Sequence, residues 1–586
     1  MFKLFKNFTK KDIGLIIISV ILVVFQVWLD LKLPDYMSAI TRLVQTDGAA
    51  MADILKQGGY MLLCAFGSLV SACIVGFLAS NLSANFSYTL RSKVYNKVLN
   101  LSTAEVKQFQ TSSLITRTTN DITQLEMLIS IGLQLLIKAP IMAVWAITKI
   151  LNKSIEWSML TAGCVVVLLC VVIGLMLIVL PRFEKVQKLI DKINNVTRES
   201  ITGIRVIRAF NAENYQENRF EKVNTDLTNM QLFNQKCFAI LNPIMMLVMN
   251  GLTLGIYAIG TYLISNALIS VKISLFSDMV IFSSYGMQVI MSFLMLAMIF
   301  MMWPRAQISA RRINEVLDCE ISIEDGKNDI KPTEVGTVEF RNVSFKYPDA
   351  DEYLLRNISF KVKKGETIAF IGSTGSGKSS LINLVPRFYD ATEGEVLVDG
   401  VNVKNYSLEE LHNKLGYIPQ KAVMFTGTVK SNVAYGTKNG QKPSVKKVRE
   451  AVEIAQASEF VSKMEGGLDA HIARGGTNVS GGQKQRLAIA RSIARDPEIY
   501  IFDDSFSALD YKTDATLRSK LKKYTKDATS MIVAQRIGTI INADKIVVLD
   551  KGTCVGIGTH QELLKNCEVY KEIALSQLSK EELENA

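Results

Sequence analysis

Six apolar stretches, about Ile13–Leu33, Leu55–Ser80, Met127–Leu151, Trp157–Leu180, Leu241–Leu268 and Ile273–Trp303, constrain this chain more than any other feature. Each is long enough for a helix of about 20 residues to cross roughly 30 Å of hydrocarbon. Backbone polar groups in lipid must be satisfied within the segment, so helix is the state these stretches predict. At 586 residues and 49% hydrophobic, the chain is too long for one domain and too apolar to be wholly soluble. A membrane part and a soluble part are therefore expected. The net charge of +11 would suit nucleic acid, but lysine and arginine gather beside apolar segments, as on the cytoplasmic side of a membrane. Lipid, and no nucleic acid, is the expected partner. The eight cysteines include no CxxC pair and half lie in apolar runs, which predicts packing rather than disulfides or zinc.

The start, MFKLFKNFTKKD, is basic and amphipathic without a small-residue cleavage site, so residues 1–12 read as an interfacial helix. Lys3, Lys6, Lys10 and Lys11 put the N-terminus in the cytoplasm, and six spans return the chain there. The outer links Asn152–Glu156 and Ile269–Lys272 are short, whereas the inner segments Asn81–Glu126 and Pro181–Ile240 are long, charged and helical in pattern, interrupted at Gly203. Folded back as arms of some 20–30 residues, they would reach roughly 30–45 Å beyond the membrane. Within the spans, Asp30, Lys32, Lys138 and Lys149 are candidates for a polar cavity, with snorkelling to headgroups an equal reading. Methionines from Met245 to Met302 suit variable apolar ligands as well as ordinary packing.

From about Thr337 the pattern changes to strand, turn and helix. VEFRNVSFKY reads as a strand ending in Tyr347, whose ring can stack on a base. A buried strand, KKGETIAFIG, leads into Gly372-Ser373-Thr374-Gly375-Ser376-Gly377-Lys378-Ser379-Ser380, a complete GxxxxGKS phosphate loop. Its glycines let backbone N–H groups face phosphate oxygens, Lys378 adds a point charge, and the Ser379 hydroxyl reaches Mg²⁺. Strand Ile499–Phe502 delivers Asp503 as the second Mg²⁺ group. ATP and Mg²⁺ are thus the expected cofactors.

These residues resemble ATP-binding cassette exporters of the half-transporter kind, over nearly the whole chain. The most specific mark is Val479-Ser480-Gly481-Gly482-Gln483, similar to the family's signature, which caps the γ-phosphate of ATP held by the opposite subunit. Gln420 matches the glutamine that senses Mg²⁺ and water, and Ser507–Asp510 the loop that crosses the dimer interface. Thr111–Asp121 and Glu199–Glu213 resemble the segments that carry the coupling helices. GIRVIRAF is similar to the heterodimeric multidrug type. The resemblance implies a six-span α-helical domain with long cytoplasmic extensions, fused to an α/β P-loop domain. The boundaries expected are 1–12, interfacial helix; 13–318, membrane domain; 319–336, linker; 337–578, nucleotide domain; and 579–586, tail.

Two positions depart from the family pattern. Asp504 stands where a glutamate activates water, and Gln535 where a histidine contacts the γ-phosphate. Aspartate is one methylene shorter, and a misplacement of about an ångström can cost on the order of 10²-fold. Glutamine donates a hydrogen bond but carries neither proton nor charge. The expectation is an ATPase-coupled exporter subunit of a bacterial plasma membrane, both termini cytoplasmic, slow at its own site. It would pair with a different half-transporter whose site it completes through Ser480–Gln483. An ordinary homodimer in which Asp504 suffices is the simpler alternative. The implied cargo is an amphipathic small molecule, drug-like or lipid-like; lipid or peptide export and a nucleotide-gated channel are the other readings.

Overall fold

The computed structural model describes residues 2–6, 8–46, 48, 50–151, 155–327 and 331–578. The expected tail 579–586, Met1 and Asn7 of the N-terminal segment, 328–330 of the linker and 152–154 of an outer link lie outside them. The chain forms two units, Met1–Leu99 with Thr111–Cys319 and Asn100–Gln110 with Glu320–Ala586.

In the membrane unit, six helices among the described residues are long and apolar enough to cross a membrane. They run Lys10–Gln45, Met51–Asn100, Asn120–Leu151, Ile155–Thr202, Glu213–Ser265 and Ile269–Leu317, called here the first to sixth helices. All exceed the length a bilayer needs, because more polar sequence beyond each apolar stretch continues the same helix. The second helix alone has 50 residues, a rise of about 75 Å. Pro181, expected to begin an inner segment, lies inside the fourth helix, as Pro34, Pro140, Pro243 and Pro304 lie inside others. Proline is tolerated within such helices because neighbouring groups satisfy the freed carbonyls. The fourth helix ends at Thr202, and Gly203 separates it from Ile204–Ala209.

Among the described residues of the expected interfacial helix 1–12, Phe2–Phe5 form one short helix and Lys10–Asp12 already belong to the first long one, which Thr9 caps in a reciprocal box with Asp12. The fourth and fifth helices pair closely, as do the third and sixth. Small residues permit this: a Cβ on Gly255 would stand 2.6 Å from Leu160. Buried Trp157 donates its indole N–H to the Ile256 carbonyl at 3.2 Å, so its one polar atom is satisfied.

The nucleotide unit carries a four-stranded sheet, β2-β1-β4-β5, and a six-stranded sheet, β12-β11-β3-β10-β9-β6. The strands of the first are β1 Val338–Phe345, β2 Leu355–Val362, β4 Glu393–Val398 and β5 Val401–Asn402. Those of the second are β3 Thr367–Gly372, β6 Leu415–Ile418, β9 Ile499–Asp503, β10 Thr529–Val533, β11 Lys545–Asp550 and β12 Thr553–Gly558. Short strands β7 Gly427–Thr428 and β8 His471–Ile472 form a separate pair. In the six-stranded sheet only the β11–β12 pairing is antiparallel. Strand β9 explains its own unbroken apolar run: Ile499 and Ile501 enter one core, Tyr500 and Phe502 another. A strand covered on both faces has no position for a polar side chain.

Candidate nucleotide site

The order β3-β10-β9 sets the C-terminal ends of three parallel strands side by side. The phosphate loop follows β3, Gln535 follows β10, and Asp503–Asp504 close β9. In open parallel sheets this end is where ligands bind. Gly375 and Gly377 have φ of +87° and +94°, in the left-handed region that glycine adopts freely. A Cβ on Gly377 would also meet Leu355 at 2.6 Å. Ser373, Thr374 and Gly375 are exposed and Ser376 is buried.

Lys378 opens the short helix Lys378–Ile382 and folds back over the loop. Its ammonium donates to the carbonyls of Gly372 (2.9 Å) and Ser373 (2.8 Å), and lies 3.3 Å from the Ser376 hydroxyl. Burial pulls its pKa down, with Asp504 and Asp503 opposing. Ser379 donates to Asp503 at 2.6 Å. The one hydroxyl proton of Tyr417, on β6 beside β9, is shared between the Asn383 amide oxygen at 3.1 Å and the Asp503 carboxylate at 3.4 Å. The hydroxyls of Tyr347 and Ser380 lie 2.8 Å apart, which ties the expected base platform to the loop. The Lys107 ammonium, from the helix Thr103–Phe109, stands 5.2 Å from the centre of the Tyr347 ring.

Asp504 has φ of +46°, a rare setting for a non-glycine residue. Its amide donates to the Val533 carbonyl at 3.1 Å, and its own carbonyl accepts from Ser507 Oγ at 2.9 Å. The two positions that depart from the family pattern meet here. Gln535 Nε2 donates to Asp504 Oδ2 at 2.7 Å, and Gln420 Nε2 donates to the same oxygen at 3.3 Å. Burial raises the pKa of both Asp503 and Asp504; for Asp504 the hydrogen bonds its carboxylate accepts from Gln420 and Gln535 pull the other way.

The site residues thus fall into two groups. Tyr347, Gly372–Ser380, Asp503, Asp504, Gln420 and Gln535 are linked by hydrogen bonds or by chain continuity. Ser480, Gly481, Gly482 and Gln483 form the N-terminus of the helix Gly481–Ala494, and no hydrogen bond among the described residues joins them to the phosphate loop. There the Ser480 hydroxyl accepts from the Gln483 amide (3.3 Å), and the Gln483 side chain accepts from the Ser480 amide (2.9 Å). Gly481 is open, and a Cβ on Gly482 would stand 3.1 Å from the Ala508 carbonyl. Sequence reasoning missed Tyr417 and Lys107. Tyr417 lies in LGYIPQ, three residues before Gln420, and only strand adjacency brings it to Asp503. Lys107 comes from between two membrane helices, where no sequence signal pairs it with Tyr347.

A phosphate loop on a parallel sheet, with an acidic strand end beside it and six apolar helices on the same chain, defines an ATPase fused to a membrane domain. Residues 355–507 match the family model described as ABC transporter, and residues 15–293 the ABC transporter transmembrane region. The chain belongs to the ABC transporter family, as an exporter half-transporter whose ATPase is coupled to transport. An uncharacterised ABC transporter ATP-binding protein of Mycobacterium tuberculosis is 37% identical over 554 residues, 92% of this chain and 93% of that one. The ATP-dependent lipid A-core flippase of Escherichia coli K12 is 30% identical over 520 residues, 88% and 86% of the two chains. The solved structure of a bacterial Atm1-family ABC exporter with ATP bound superposes with a TM-score of 0.81 at 25% identity, covering 96% of this chain and 99% of that one.

Proposed function

We propose that this chain is the slow-site half of a two-chain exporter in a bacterial plasma membrane. The observation that carries the reading is the clasp on Asp504, whose Oδ2 accepts from both Gln535 and Gln420. Neither amide can take up a proton. The carboxylate is short by one methylene and already engaged, so ATP is held by Lys378 and the loop while the attacking water lacks a well-placed base. Ser379 and Asp503, 2.6 Å apart, are a hydroxyl and a carboxylate of the kind that holds Mg²⁺, with Gln420 nearby on the Asp504 side. When bound, Mg²⁺ would neutralise phosphate charge.

Ser480–Gln483 would complete the competent site of a different, homologous partner chain. The nucleotide unit and both termini lie in the cytoplasm in this reading. The cargo is an amphipathic molecule, and the likeness to a lipid A-core flippase supports the lipid-like end of that class. The test is hydrolysis by the chain purified alone. Weak turnover is expected, rising on the order of 10²-fold in Asp504→Glu with Gln535→His. Brisk turnover by the unmodified chain would refute the slow site, and mass spectrometry finding only this chain would refute the two-chain assembly.

A further inference from the structure

Asp30, Lys138 and Lys149, singled out as charges inside apolar spans, do not snorkel separately; they join a polar ladder along one side of the first helix. Asp30 takes the Lys138 ammonium of the third helix at 3.0 Å and the Ser68 hydroxyl of the second at 2.5 Å. Asp35 takes Lys149 of the third helix at 2.8 Å and the Tyr285 hydroxyl of the sixth at 2.6 Å. Ser38 and Ser277 lie 2.6 Å apart, and Arg42 pairs with Asp278 at 3.2 Å. Positions 30, 35, 38 and 42 fall on one helix face, over a rise of about 18 Å. Among the described residues, every ion pair from the first helix to the third or sixth lies in this stretch. It sits toward the bundle end where short links join first to second, third to fourth and fifth to sixth helices.

We propose that this ladder is a latch holding the outer half of the first helix against the third and sixth, and that the exit path opens where it parts. Separating the Asp30–Lys138 and Asp35–Lys149 pairs in lipid would strand four charges in hydrocarbon, so the latch can open only if water enters the gap. The lower pair is the more accessible: Asp35 and Lys149 side chains are 31% and 38% exposed, against about a fifth for Asp30 and Lys138. A cavity of about 380 Å³ lined by Asp35, Ser38, Arg42 and Gln57 adjoins them. Asp30, Asp35, Lys138, Lys149 and Tyr285 are therefore positioning residues for transport. The inference rests on the orientation proposed above only in calling the short-link end the outer one.

The test uses the complete complex in lipid nanodiscs, its eight native cysteines in this chain replaced, with spin labels at Val44→Cys and Leu151→Cys. Both positions are exposed, at 65% each. In the unmodified ladder, a short distance without nucleotide and a longer one with ATP are expected. Asp30→Asn with Asp35→Asn should raise the long-distance population without nucleotide about tenfold, the scale of two interhelical polar contacts in a membrane. The exchange Asp35→Lys with Lys149→Asp should return it toward the original. If the double variant does not assemble, Lys138→Met and Lys149→Met are read in the same way, with a rise of several-fold expected. A population indifferent to these changes while ATP still lengthens the distance overturns the latch alone. A distance that ATP never changes overturns the latch together with the proposed orientation of the transport cycle.

Discussion

The phosphate-loop end and the signature end of the nucleotide unit are both glycine-rich helix starts, and they are finished to different degrees. Around the loop, Lys378 bonds the loop carbonyls, Ser379 and Tyr417 bond Asp503, and Gln420 and Gln535 bond Asp504, all within the chain. At Ser480–Gln483 the polar groups satisfy only their own helix cap, and Ser480 and Gly481 stay exposed. In the reading proposed above, the first would hold ATP from this chain alone. The other presents a helix N-terminus suited to an anion, which the proposed partner chain would supply. Holding nucleotide and cleaving it can therefore be separated by substitution.

The sharpest separation is expected from Gly482→Asp, which sets a carboxylate at that helix start. Turnover by the assembled complex should fall at least 10²-fold, on the scale of losing a transition-state contact. ATP retained by this chain's own loop should stay within about twofold, as read by nucleotide binding and phosphate release on one preparation. Lys378→Ala reverses the pattern: nucleotide binding to this chain should weaken on the order of 10²-fold, since charge-assisted bonds to phosphate disappear. If both substitutions had the same effect on binding, the comparison would fail.

A finer test concerns the base platform. Tyr347→Ala should cost about 1–3 kcal/mol of ATP affinity, the usual worth of stacking a base on a ring. Tyr347→Phe should cost less, because only the hydroxyl contact with Ser380 is lost. Fluorescent-nucleotide titration separates the two. The smallest effect is on stability. Burial holds the Asp504 pKa above its ordinary value, so its ionised form is disfavoured in the fold at neutral pH. Asp504→Asn should stabilise the nucleotide-free protein by up to about 1 kcal/mol at pH 7. That gain should fade as pH drops through the raised carboxylate pKa, where Asp504 itself becomes neutral. Denaturation midpoints across that range check the sign.

Much of this was legible because the chemistry is local. A phosphate loop needs its glycines and lysine within eight positions, and a hydrocarbon span needs its apolar residues consecutively. What escaped depends on contacts between distant segments. The pairing of Asp504 with Gln535 follows from β9 and β10 being neighbours, which neither sequence position declares. Asp35 lies just beyond the first apolar stretch, so composition does not mark it, although the third and sixth helices close upon it. The inner arms are helical as their pattern predicts, but the fourth helix runs unbroken from its apolar span through Pro181, which the composition change at that residue does not declare. The short segment Asn100–Gln110 groups with the nucleotide unit although no motif in it says so.

That segment changes what counts as a removable module. Thr103 donates to the Phe388 carbonyl at 3.1 Å, Glu105 accepts from Ser322 at 2.6 Å, and Ala104 packs on the sheet core. A soluble fragment cut at residue 320 would leave behind a plug that fills its own surface. The bared seat would invite self-association, and the remedy would be to supply the missing peptide in trans or graft it by circular permutation.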